Sequence, residues 1–115
     1  MKIDVRRIYD DDSSTGYRVL VDRLWPRGIS KEDAALDDWW KDTAPSDELR
    51  DWFGHDPDKW GEFRRKYLHE LKGHKDTIKQ ALAGVSGSHL VLLYGAKDER
   101  HNNARVLKEY LERLG

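Results

Sequence analysis

His89-Leu90-Val91-Leu92-Leu93-Tyr94, set between Gly87 and Gly95, decides how this chain folds. An unbroken apolar run cannot alternate between a core and water, so both of its faces must be covered. The run is too short for a buried helix, and the flanking glycines bound it, so it reads as a central strand with material packed on both sides. The rest of the chain has to be arranged around it.

Downstream, Asn102 to Leu114 places Ala104, Leu107, Tyr110, Leu111 and Leu114 on one stripe of a helix. Upstream, Ser46 follows Pro45 and opens a helix with Asp47 and Glu48 in its first turn, where the dipole favours acids. Asp56-Pro57 is a second start, leading to Trp60, Phe63, Tyr67, Leu68 and Leu71 at helical spacing and a stop at Gly73. Lys75 to Leu82 reads as another helix, and Ser30 as the cap of a short one carrying Ala34, Ala35 and Leu36. Near the N-terminus, Lys2 to Tyr9 alternates as a strand, and Tyr17 to Arg23 is a second, mostly apolar one. The turn formers of residues 10–16 make too short a link for a parallel crossover, which predicts an antiparallel first pair. The helices between the second strand and the central one predict a right-handed crossover and a parallel pair. The expected fold is therefore α/β: one domain over residues 1–115, with a small mixed sheet of about three strands, two of them parallel, and helices on both faces.

Composition narrows the function. With 21 basic and 22 acidic residues the net charge is -1, without the basic excess of a dedicated nucleic-acid binder. Residues 30–58 have only Lys31, Lys41 and Arg50 against ten acids, so charge is segregated along the chain. There is no cysteine, no signal-type apolar segment at Met1–Arg7 and no membrane-length apolar run, which makes the cytoplasm the expected address and gives no reason to expect membrane contact. Five tryptophans in 115 residues point to an aromatic core or an aromatic-lined cleft.

In open α/β sheets, ligands bind beyond the carboxyl ends of parallel strands. Asp22-Arg23-Leu24-Trp25-Pro26-Arg27-Gly28 and Gly95 to Asn103 are both expected to leave the sheet there. Arg23, Trp25, Arg27, Lys97 and Asn102 are the candidate ligand-binding residues, for a phosphate or carboxylate, since guanidinium groups bind such anions with fixed geometry. His101 is the candidate proton carrier, with Asp22 or Asp98 to orient it or act as base. The structural alternative is an ionic network between the strand ends, with Asp98, Asn102 or Asn103 as helix caps.

Other motifs carry less. Asp10, Asp12 and Ser14 resemble part of a calcium loop, but Thr15 and Val21 replace its required glycine and acid, and a hairpin turn fits better. No histidine spacing suits a metal, and no dinucleotide, phosphate-loop or nucleophile-elbow motif is present, so neither metal nor cofactor is expected. Arg64-Arg65-Lys66 with Lys72 and Lys75 offers an alternative nucleic-acid surface, and the acidic 30–58 segment an alternative protein-interaction surface.

The segments Val21-Asp22-Arg23-Leu24-Trp25-Pro26-Arg27-Gly28, Ala44-Pro45-Ser46 with Leu49-Arg50 and Trp52-Phe53, and Leu92-Leu93-Tyr94 with Ala96-Lys97-Asp98 and His101-Asn102 give the chain a family likeness. It resembles the YeaO-like branch of the domain of unknown function 488 across essentially its whole length. The resemblance implies a short bacterial or archaeal α/β domain and transfers no catalytic residue. It also implies a cysteine-bearing segment after the last core strand in wider relatives, near where His101 stands here.

Overall fold

In the computed structural model, which describes residues 1–10 and 15–114, strands β1 (Lys2–Arg7), β2 (Tyr17–Leu20), β3 (Asp38–Trp39) and β4 (His89–Tyr94) form one sheet in the order β1-β4-β2-β3. The helices are α1 (Lys31–Ala34), α2 (Asp47–Phe53), α3 (Trp60–Gly73), α4 (Lys75–Ala83) and α5 (Asn103–Leu114). The α/β class and the central, doubly covered position of residues 89–94 are as the sequence predicts. Leu90, Leu92 and Tyr94 join a large core with Phe53, Phe63, Tyr67, Ile78 and Leu107, contributed by α2, α3, α4 and α5. Val91 and Leu93 face the other way, into a smaller core with Ile8, Leu20 and Ala34, flanked by Trp25, Ile29, Leu36 and Trp39. Helices thus lie on both faces; on the second, among the described residues, they are the single turn of α1 and the 3-10 turn that carries Ile8.

The expected antiparallel pair is corrected. β1 and β2 do not touch as partners; each pairs in parallel with β4, through Ile3↔Leu90 on one side and Tyr17↔Leu90 on the other. β3 adds to β2 in parallel, so the sheet is not mixed. Two physical reasons apply. A fully buried strand needs hydrogen-bonding neighbours on both edges, and β1 and β2 are the longest segments free to supply them. The link also has less to span than a helical crossover, because β2 has four residues. Returning along it covers about 13 Å and crossing two strand spacings about 10 Å, within reach of residues 8–16. That link opens with a 3-10 turn at Ile8–Asp10; the calcium-like positions Asp12 and Ser14 lie outside the described residues. β3 has two residues, too few for any periodicity to announce it.

The helix starts follow their predicted caps. The Ser30 hydroxyl accepts from the Asp33 N–H at 3.0 Å, and the Ser46 hydroxyl from the Leu49 N–H at 3.2 Å. Asp56 and Pro57 open a 3-10 turn that runs directly into α3. Arg18 of β2 is buried and its guanidinium donates to the Ala34 and Ala35 carbonyls at the end of α1, where the helix leaves carbonyls without partners. Among the described residues, no helix is long and apolar enough to cross a membrane.

Candidate functional site

β2 and β4 are parallel neighbours whose continuations leave to opposite faces. After β2 the chain goes to the smaller core through Trp25 and Ile29, while after β4 it turns to the larger one through Ala104 and Leu107. Such a divergence leaves a crevice at the strand ends. A cavity of about 480 Å³ occupies it, within the range of small-molecule sites. Its lining is divided: Phe53, Phe63, Trp25 and Pro26 supply apolar surface, and Asp22, Arg23, Arg27, Arg50, His55 and His101 supply charge or protons.

Asp22, two residues beyond β2, is the tethered acid of the cavity. Its Oδ2 accepts the Gly95 N–H at 2.8 Å and its Oδ1 the Asn103 amide at 3.1 Å, so it joins the ends of β2, β4 and α5. Gly95 leaves the room for this: a Cβ there would stand 3.2 Å from Asp22 Oδ2. The Asp22 carbonyl accepts from Trp39 Nε1 at 2.7 Å, which fixes the backbone as well. Loss of water raises the pKa of the carboxyl, against the lowering by the Gly95 and Asn103 hydrogen bonds and the nearby His55.

The arginines differ in how far they are committed. Arg23 Nε lies 3.5 Å from the Asp47 carboxylate and Nη2 donates to the Pro45 carbonyl at 3.4 Å. Its buried Nε nevertheless makes no hydrogen bond among the described residues. Arg50 approaches Asp47 at 3.5 Å and Asp51 at 3.9 Å, both exposed surface pairs. The exposed Arg27 has no ion-pair partner among the described residues. Its backbone is held instead, by the Tyr9 hydroxyl donating to the Arg27 carbonyl at 3.0 Å.

The loop after β4 uses its polar groups differently. Asp98 Oδ1 accepts the N–H groups of Arg100 and His101 at 2.9 and 3.0 Å, and Oδ2 meets His101 Nδ1 at 2.8 Å. Those bonds, the imidazole first, lower the Asp98 pKa to about 2. The His101 ring packs edge-on to Trp60 with centroids 5.2 Å apart and lines the cavity. Asn102 is the buried cap of α5: its amide donates to the Asp98 and Glu99 carbonyls, and its Oδ1 accepts the Arg105 N–H at 3.1 Å.

Of the eight residues singled out from sequence, Asp22, Arg23, Trp25, Arg27, His101 and Asn102 line the cavity together, whereas Lys97 and Asp98 do not. Lys97 is exposed, and Asp98 stands behind His101. Sequence reasoning missed Arg50, His55 and Tyr9. The only prior sign of Arg50 was its place in the Leu49-Arg50 segment. His55 follows Gly54 in a second consecutive positive-φ position, with φ of 56°. That region is costly for most side chains and is enriched in histidine, and strain of this kind gathers at sites; sequence gives no signal for it.

A family model described as the inactive DUF488-N3 subclade matches residues 2–114. The uncharacterized protein YeaO of Escherichia coli K12 is similar, 45% identical over 115 residues that cover 99% of this chain and 100% of its own. The uncharacterized protein Rv3073c of Mycobacterium tuberculosis H37Rv is 38% identical over 112 residues, 96% of this chain and 93% of its own. No solved structure matches significantly.

Proposed function

Since the chain belongs to the inactive DUF488-N3 subclade, we propose that it binds a small anion-bearing molecule, a phosphate or carboxylate, at the carboxyl ends of β2 and β4. One observation carries this reading: the cavity there gathers Arg23, Arg27 and Arg50 around apolar walls. A sheltered charged hydrogen bond contributes about 1.5–3 kcal/mol. The subclade's description and the absence of cysteine from this chain favour binding over covalent catalysis. The test is calorimetry and thermal unfolding with phosphate, phosphate esters and carboxylates. Binding at about a hundred times Kd adds ~2.7 kcal/mol of stability, and Arg50→Ala should reduce it. A flat response across all these anions sinks the proposal.

A catalytic second reading rests on one geometry. Nδ1 of His101 sits 2.8 Å from Asp98 at the cavity wall, the arrangement in which an acid orients an imidazole for proton transfer. Turnover of a bound phosphate ester that is abolished in His101→Gln, with binding retained, would establish it. The nucleic-acid reading has less support. Arg64 pairs with Glu109, Arg65 and Lys66 lie 3.4 and 3.8 Å from Glu62, and Lys66 stacks over Trp52 at 4.0 Å.

A further inference from the structure

The cavity holds an acid as well as arginines, and this limits which anion fits. Its volume, about 480 Å³, is several times that of a bare phosphate ion. A bare anion would also meet the Asp22 carboxylate, with which it has no favourable contact. Asp22 cannot turn away, because Gly95 and Asn103 hold both of its oxygens. Each of those oxygens keeps a second lone pair available to a donor. The ligand must therefore extend from the arginines to the acid and carry a hydrogen-bond donor at the acid end.

Building on the anion-site reading, we propose that the ligand is a phosphate ester of a small polyol or sugar, its phosphate on Arg27 and Arg50 and its hydroxyls donating to Asp22. A neutral hydroxyl suits the acid end better than an ammonium does. Arg23 shares the lining with Asp22, so a cation entering there meets like charge. Trp25 and Pro26 line the same space and give apolar surface for the C–H groups of a polyol.

Calorimetry with three probes tests this: inorganic phosphate, ribose 5-phosphate and O-phosphoethanolamine. Ribose 5-phosphate should bind at least about tenfold more tightly than inorganic phosphate, the equivalent of one good hydrogen bond to a charged acceptor. Asp22→Asn should abolish that ratio, with inorganic phosphate bound at least as tightly as by wild type; its folding is checked by thermal unfolding, and the wild-type ratio decides the matter if it does not fold. Equal affinities for phosphate and ribose 5-phosphate, both weakened by Arg27→Ala, would overturn the polyol assignment and leave the anion site standing. Tighter binding of O-phosphoethanolamine than of ribose 5-phosphate would overturn it in favour of an ammonium ligand. No binding of any probe would remove the anion site too.

Discussion

Residues 22–28 and 95–102 leave the sheet at the same edge and are both crowded with charge, yet the first loop presents Arg23, Trp25 and Arg27 to a cavity, whereas in the second Asp98 and Asn102 are taken up by its own backbone. In the second, Asp98 bonds the N–H groups of Arg100 and His101, and Asn102 bonds two carbonyls and the Arg105 N–H. In the first, Gly95 and Asn103 hold the Asp22 carboxylate, but Tyr9 reaches only the Arg27 carbonyl and Trp25 Nε1 the Ile29 carbonyl at 2.7 Å, and the Arg27 head is left over. Charge density alone therefore does not separate a ligand site from a self-braced loop. The difference lies in spacing. An Asx side chain placed two or three residues before a backbone N–H is taken up locally, whereas an arginine, with donors only, has no such short-range use.

The largest test of that contrast is Asn102→Ala. It leaves the Asp98 and Glu99 carbonyls and the first turn of α5 without their partner, in a residue only 2% exposed. A lost cap costs about 1 kcal/mol, and buried groups left unbonded add to it, so a total of about 2 kcal/mol is expected. Chemical denaturation should report that loss with an unchanged m-value. A loss below about 0.5 kcal/mol, the level of an ordinary surface change, would mean the loop is not held by its own bonds.

Next in size is a charge-matched pair, one member from each loop. Arg27→Ala removes a cation from the cavity lining, and Lys97→Ala removes one from an exposed head outside it. Arg27→Ala should weaken phosphate-ester binding about tenfold with stability within about 0.5 kcal/mol of wild type. Lys97→Ala should change neither. Equal losses from both would show that only the general field of the protein attracts the anion, and the distinction between the loops would fail.

Much of this was legible in sequence, for reasons that also explain what was not. The apolar run 89–94 had to be a doubly covered strand, and the Ser46 and Asp56-Pro57 signals are local bonding rules that tertiary structure had no cause to override. The convergence of segments 22–28 and 95–103 followed from two parallel strands ending together. Pairing order was not legible: which strand flanks β4 depends on competition for its two edges, which nearest-neighbour patterns do not express. Arg50 and His55 escaped because α2 lies far along the chain from either loop, and the positive φ of His55 leaves no mark in composition. Lys97 was misplaced for a related reason: in an irregular loop, position in the segment says little about where a long side chain points.

The subtlest contrast is in acid, where the two aspartates should shift stability in opposite directions. Asp98 has a folded pKa near 2, below its ordinary 3.8, because His101 and two backbone N–H groups bond its charged form. Its contribution is present above about pH 4 and is lost as pH falls through about 2. The folded pKa of Asp22 is raised, chiefly by loss of water, so its contribution is complete below the unfolded value and lost as pH rises through the folded one. Over a series from about pH 3 to 6, the stability advantage of wild type over Asp98→Asn should therefore grow with pH, and its advantage over Asp22→Asn should shrink. Each difference cancels the other carboxylates, including Asp4 and Glu109, whose pKa values are also lowered. Two slopes of the same sign would place both acids in the same kind of surroundings. Asp22 would then be one more member of a self-bonded network, and nothing would distinguish the loop that faces the cavity from the loop that faces itself.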